Sequence, residues 1–159
     1  MYSTDVNDLL TVNLTGIQAL YNKLASVKTL KARKMLVSAV PSALSKVLTI
    51  DQVLHGLNGV TSNLSEDKLV RAFYLSKMTV TEETLSHGQL ELSLLRWPEF
   101  VEFVCRAAYL RHEKTEVSSK VRLDDMLRPL LDAWLPLAGY SRIEPPPMTN
   151  VISESDDDY

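Results

Sequence analysis

The chain has 159 residues, 45% of them hydrophobic and 23% charged, with a formal net charge of −3. That length accommodates one ordinary domain with its own core, the proportions are those of a soluble globular protein, and the acidic balance offers no field to gather nucleic acid or an anionic membrane. The lone cysteine, Cys105, has no internal disulfide partner and fits a reducing compartment, while no apolar run approaches the roughly 20 residues that span a bilayer.

The start, MYSTDVNDLL, lacks the basic and apolar regions of a signal peptide, so the expectation is a cytoplasmic protein or a piece of a larger one. Leu9, Leu10, Leu14, Ile17, Leu20, Tyr21 and Leu24 recur at helical spacing, with Gly16 as a weak point inside the pattern. A second helix is expected from about Lys28 to Val40, ended by Pro41, with KTLKARK turned to solvent. Thr49 is placed to cap a short helix that runs through Leu57 and stops at GLNG. Ser65 starts another, in which Leu69, Phe73 and Met78 share a face and Glu66 and Asp67 suit the positive helix end.

Thr81 is a possible cap for a short helix that stops at His87-Gly88. The apolar block LLRWPEFVEFVCRAAYL then opens a helix with Pro98 in its first turn and Glu99 beside it. Phe100, Phe103, Val104 and Ala107 make its inner stripe, and Glu102 and Arg106 are four apart on its wet side. A polar connector leads to a C-terminal packing helix over 122–137, with Leu123, Leu127, Leu130, Leu131 and Trp134 on one side and Pro129 expected to kink or split it. Residues 144–159, EPPPMTNVISESDDDY, are expected to form a disordered acidic tail. In it Ser153 and Ser155 each precede an aspartate by three residues and are candidate phosphorylation sites.

Two of these helix starts share a skeleton. Leu95 stands four residues before Glu99 and Leu48 four before Gln52, each followed by an apolar helix face. A calcium hand has a loop of about 12 residues whose last member is a glutamate opening the exit helix, and whose eighth is an aliphatic residue paired with a sister loop. KLVRAFYLSK looks like an entering helix through Leu69, Ala72 and Phe73, which puts the second loop's first residue at Lys77. Gln52 to Lys77 is 25 residues, the interval expected between the end of one loop and the start of its partner. Residues 28–112 therefore resemble an EF-hand pair. The fold class implied is all-α: an EF-hand-like helix-loop-helix pair with flanking N-terminal and C-terminal helices, in a single domain over 1–143.

The resemblance omits the ligands. In PSALSKVLTIDQ, the oxygen positions hold Pro41, Ala43 and Ser45, and Lys46 replaces the bend glycine. The second loop runs from Lys77 to Glu99, 23 residues, without an aspartate ladder. Calcium needs about six to eight oxygens in a tight turn, so neither loop is expected to bind it, and no cofactor is expected. The chain also resembles degenerate hands of ciliary and protist cytoskeletal proteins, which implies a cytoskeletal or flagellar setting. A leucine-rich helical bundle of other ancestry, acting as an adaptor, would produce the same stripes.

Other chemistry is less well supported. Cys105 as a nucleophile needs a converging base, yet none of His55, His87 and His112 sits in a catalytic signature, and a free cysteine on an apolar flank usually packs. A zinc site needs four ligands at short spacing. Glu82-Glu83 and Asp124-Asp125 sit where helix starts are expected, which suits capping. KTLKARK lacks the interleaved aromatics of a nucleic-acid surface. The expectation is thus a non-enzymatic protein–protein interaction module, with no nucleic acid or membrane partner. The candidate partner-binding residues are Trp97, Phe100, Phe103, Tyr109 and Trp134, aromatic types enriched at interface anchors. MLRPLLDAWL is the candidate plug of the groove in cis, favoured by proximity. The alternative is a calcium-responsive regulatory subunit drawing oxygens from Thr79, Thr81, Glu82, Glu83, Glu91 and Glu99.

Overall fold

The structure is a computed structural model that describes residues 3–28, 47–77, 92–113 and 121–147. The helix expected over Lys28–Val40 (beyond Lys28 itself, which is described and not helical), the first-loop positions 41–46, the short helix at Thr81 and the serines Ser153 and Ser155 lie outside the described residues. So do the insertion residues Thr79, Thr81, Glu82, Glu83 and Glu91. Among the described residues the fold is all-α apart from one ribbon. Its elements are α1 (Thr4–Val12), α2 (Leu14–Ser26), β1 (Leu48–Thr49), α3 (Ile50–Leu57), α4 (Glu66–Leu75), β2 (Leu94–Leu95), α5 (Trp97–His112), α6 (Leu123–Trp134) and a closing 3-10 turn (Leu135–Ala138).

The amino-terminal periodicity produces two helices that part at Asn13, whereas the sequence pointed to Gly16 as the weak point. Asn13 departs from helical geometry, with φ −101° and ψ 3°, and its buried side-chain amide is engaged by other parts of the chain. Nδ2 donates to the Leu9 carbonyl at 2.8 Å and to the Ile143 carbonyl at 2.7 Å, and Oδ1 accepts from the Ile143 N–H at 2.7 Å. The break thus clips α1 and α2 to the carboxy-terminal segment. Gly16 stays helical, and Leu135 and Tyr140 approach its backbone closely: a β-carbon there would stand 3.1 Å from Leu135 Cδ2.

The later starts follow the sequence more closely. Thr49 caps α3 in a reciprocal box: its Oγ1 accepts from the Gln52 N–H at 3.3 Å, and Gln52 Oε1 accepts from the Thr49 N–H at 2.9 Å. This satisfies two backbone donors that a helix start would otherwise leave open. At α5, Pro98 occupies the first turn and Glu99 Oε2 accepts from the Arg96 N–H at 2.9 Å. Glu102 and Arg106 form the expected pair at 2.8 Å.

Pro129 does not split the last helix. α6 runs unbroken from Leu123 to Trp134. The carbonyl that a proline at 129 leaves without its helical donor is that of Asp125, an exposed residue where water can take the donor's place. Beyond the 3-10 turn, Gly139 takes a left-handed φ of 80° that ends the segment, as glycine does without steric cost. Glu144, the first residue of the expected tail, pairs with Arg128 at 3.2 Å and with Arg142, and residues 148–159 lie outside the described residues.

One continuous core joins all six helices. α4 and α5 run antiparallel, tied at one end by Lys77 to Glu99 at 2.9 Å and at the other by Arg71 to Glu113 at 2.7 Å. α6 lies along α5 and reaches α1, and the 3-10 turn closes over α2. Met126, Leu127, Leu130, Leu131 and Trp134 are buried there, so the helix read as a candidate plug is seated in cis.

Candidate functional site

β1 and β2 are two residues each, paired antiparallel with Leu48 opposite Leu95 and Thr49 opposite Leu94. Both leucines are fully buried. These are the two aliphatic positions that the helix-start skeleton aligned, and each strand is followed within a residue or two by a helix. The ribbon therefore brings the starts of α3 and α5 together and places Gln52 and Glu99 at equivalent points of the two helices. Tyr21 of α2 closes one side, its hydroxyl donating to the Leu95 carbonyl at 3.1 Å. Burial, and then the nearby Glu99 charge, pushes the Tyr21 hydroxyl up to about 12.

Both helix-start side chains are spent on protein groups. Gln52, buried, donates from Nε2 to the Ala25 carbonyl at 3.0 Å and to the Val27 carbonyl at 2.9 Å, while its Oε1 serves the capping box. It thereby secures the end of α2 to the start of α3. Glu99 accepts from the Arg96 N–H and takes the Lys77 ammonium at 2.9 Å; the two paired side chains are only 4% and 6% exposed. Lys77 also donates to the Leu94 carbonyl. In the sequence Lys77 stands out only by its place at the head of the second loop. The available signal was a lysine where that loop's first acidic ligand would stand.

The aromatic candidates separate into two groups. Phe100, Phe103 and Trp134 are fully buried. They form a stack in which Phe100 and Phe103 have centroids 5.7 Å apart, and Phe103 and Trp134 5.9 Å apart. Tyr21 extends it, 5.2 Å from Phe100. In this arrangement their surface is used within the chain. Tyr109 is 56% exposed on the outer side of α5. Trp97 is half-buried, meeting Tyr21 edge-on at 5.7 Å. It lines an open cleft with Leu14, Thr15, Gln18, Ala19, Asn22 and Tyr140, and Leu14 and Tyr140 are themselves exposed.

Cys105, Asp124 and Asp125 belong to other parts of the fold. Cys105 is buried on α5. Asp124 and Asp125 stand in the first turn of α6, and Arg128 Nη1 reaches both at 3.0 Å. Among the described residues no cluster of three or more His, Cys, Asp or Glu side chains is gathered as a metal set, and no helix is long and apolar enough to cross a membrane. No family model, no curated protein and no solved structure matches the chain.

Proposed function

We propose that the chain is a non-catalytic protein–protein interaction module, built on a degenerate EF-hand-like pair that holds together without calcium. The observation that carries this reading is the pairing of Leu48 with Leu95, with Gln52 and Glu99 four residues further on and both engaged by the protein. In a calcium hand the exit carboxylate serves the ion. Here one equivalent is a neutral amide bound to two carbonyls and the other is neutralised by an ammonium, which weighs against the calcium-responsive alternative.

The interaction surface in this reading is the cleft around Trp97, lined by the apolar and aromatic Leu14, Ala19 and Tyr140 together with the uncharged Thr15, Gln18 and Asn22. Apolar and aromatic side chains with a polar rim are what an amphipathic partner segment needs. The buried stack of Phe100, Phe103 and Trp134 is joined to the cleft through Trp97, whose ring lies 6.4 Å from Phe100, and in this reading does not itself meet the partner. A place in a cytoskeletal or scaffold assembly follows from the resemblance to degenerate hands of that kind.

Two measurements test the proposal. Calcium at about 1 mM, enough to fill even weak hands, should leave the melting temperature and the tryptophan emission unchanged. A rise of several degrees would overturn calcium independence. Affinity purification with wild type and with the Leu14→Glu/Tyr140→Ser variant should show the same proteins lost from the variant, whose core is intact. Retention of every partner would remove the cleft from the reading.

A further inference from the structure

We propose that Lys77 is a built-in cation, a side-chain ammonium lodged where a loop of this geometry would otherwise gather its oxygens around a free ion. Lys77 follows the end of α4 directly. Its ammonium donates to the Leu94 carbonyl of β2 and to the Glu99 carboxylate in the first turn of α5. One group thus joins a helix end, the ribbon and a helix start, and both charged side chains are almost wholly withdrawn from water.

The oxygens it takes are not arbitrary. Counting back from Glu99 as the last residue of a loop of about 12, Leu94 is the seventh, and hand loops offer the seventh residue's backbone carbonyl and the twelfth residue's carboxylate to the metal. An ammonium has a single charge and three directed donors. Because it is tethered to the chain, its occupancy does not depend on any ion concentration. The consequence is a constitutive closure of the α4–α5 unit. The contacts alone carry this inference, which survives if the hand-like ancestry fails.

The test uses thermal melts of the full chain. Lys77→Met keeps the stem and removes the charge, leaving the buried Glu99 carboxylate without its ammonium. Its melting temperature should fall by roughly 6–20 °C. Adding Glu99→Gln to that variant should recover at least half of the loss, since the pair is then neutral. Lys77→Ala should be raised toward wild type by millimolar propylammonium, and not by tetramethylammonium at equal ionic strength, which has no N–H to donate. A Lys77→Met melt within about 2 °C of wild type, a double variant no more stable than the single one, or equal effects of the two ammonium salts would each overturn the inference. Propylammonium rescue keeps the inference whatever calcium does to the wild-type melt, and a calcium-dependent rise in that melt overturns only the proposed calcium independence, so the two failures are separable.

Discussion

Trp134 and Thr61 lie 73 residues apart in sequence, yet the indole Nε1 donates to the Thr61 hydroxyl at 2.9 Å with both side chains buried. The bond fixes the end of α6 to the connection between α3 and α4, at the foot of the aromatic stack. Thr61→Val preserves the shape and removes the acceptor, so the indole N–H is left buried without it. That should cost about 1–3 kcal/mol, read as a lower urea midpoint with an unchanged slope. Thr61→Ser retains the hydroxyl and should recover the part due to the bond. An equal loss in both variants would assign the effect to packing alone.

Gln52 should tolerate no carboxylate. Gln52→Glu restores the residue that a calcium loop would have at its exit, but here the side chain faces the Ala25 and Val27 carbonyls. The substitution removes two donors and sets a negative charge against two carbonyl dipoles, at a cost of about 2–4 kcal/mol. Calcium should not return the lost stability. A calcium-dependent recovery in urea denaturation would show that this loop still gathers an ion.

Much of the fold was legible because it rests on local rules. Thr49 and Gln52 stand at capping-box spacing, Pro98 and Glu99 suit a first turn, and the stripe of α5 repeats at helical period, so those elements appear where periodicity and capping place them. Periodicity placed Phe100 and Phe103 on the inner stripe of α5 and Trp134 on one side of α6, but what those faces meet was not legible, because a stripe of aromatics looks the same whether it faces a partner or another helix of its own chain. Asn13, Lys77 and Thr61 were missed for a related reason. Their partners, Ile143, Glu99 and Trp134, are 130, 22 and 73 residues away, and no local pattern records a polar group satisfied across the core. The continuity of α6 through Pro129 goes with an exposed Asp125, the residue whose carbonyl loses its helical donor, and that exposure is read only from the packed structure.

Gly56 is held small by a neighbouring helix. A β-carbon there would overlap Leu24 Cδ2, and Leu24 is itself buried in the core. Alanine would add up to about 1 kcal/mol of helix propensity, but the overlap forces Leu24 off its packing at about 1–3 kcal/mol. The net effect of Gly56→Ala should therefore be destabilising. Gly59 offers the contrast: its surroundings are open, but its φ is +78°, so Gly59→Ala should cost about 1–2 kcal/mol through the backbone alone. A stabilised Gly56→Ala protein would mean that Leu24 can turn aside, and that α2 and α3 are less closely packed than the structure has them.

Acid should lower the stability of the chain in two separable windows. Burial, and then the Arg111 and Lys68 charges, hold the His112 imidazole below its ordinary 6.5. Between that lowered value and 6.5 the unfolded chain binds more protons than the folded one, so stability is complete above 6.5 and falls as pH drops through the window. His112→Asn should flatten this step. Asp124 acts at lower pH. Burial pushes its carboxyl up, but hydrogen bonds from Arg128 and Arg122, the Arg122 charge and its own backbone N–H together hold it below the ordinary 3.8. Its contribution is present in full above 3.8 and is lost as pH falls through the folded value. The stability difference between wild type and Asp124→Asn should therefore be largest near neutrality and shrink below 3.8 in urea titrations across pH. A difference that stays constant down to the acid limit would show that the two arginines do not favour the charged form of Asp124.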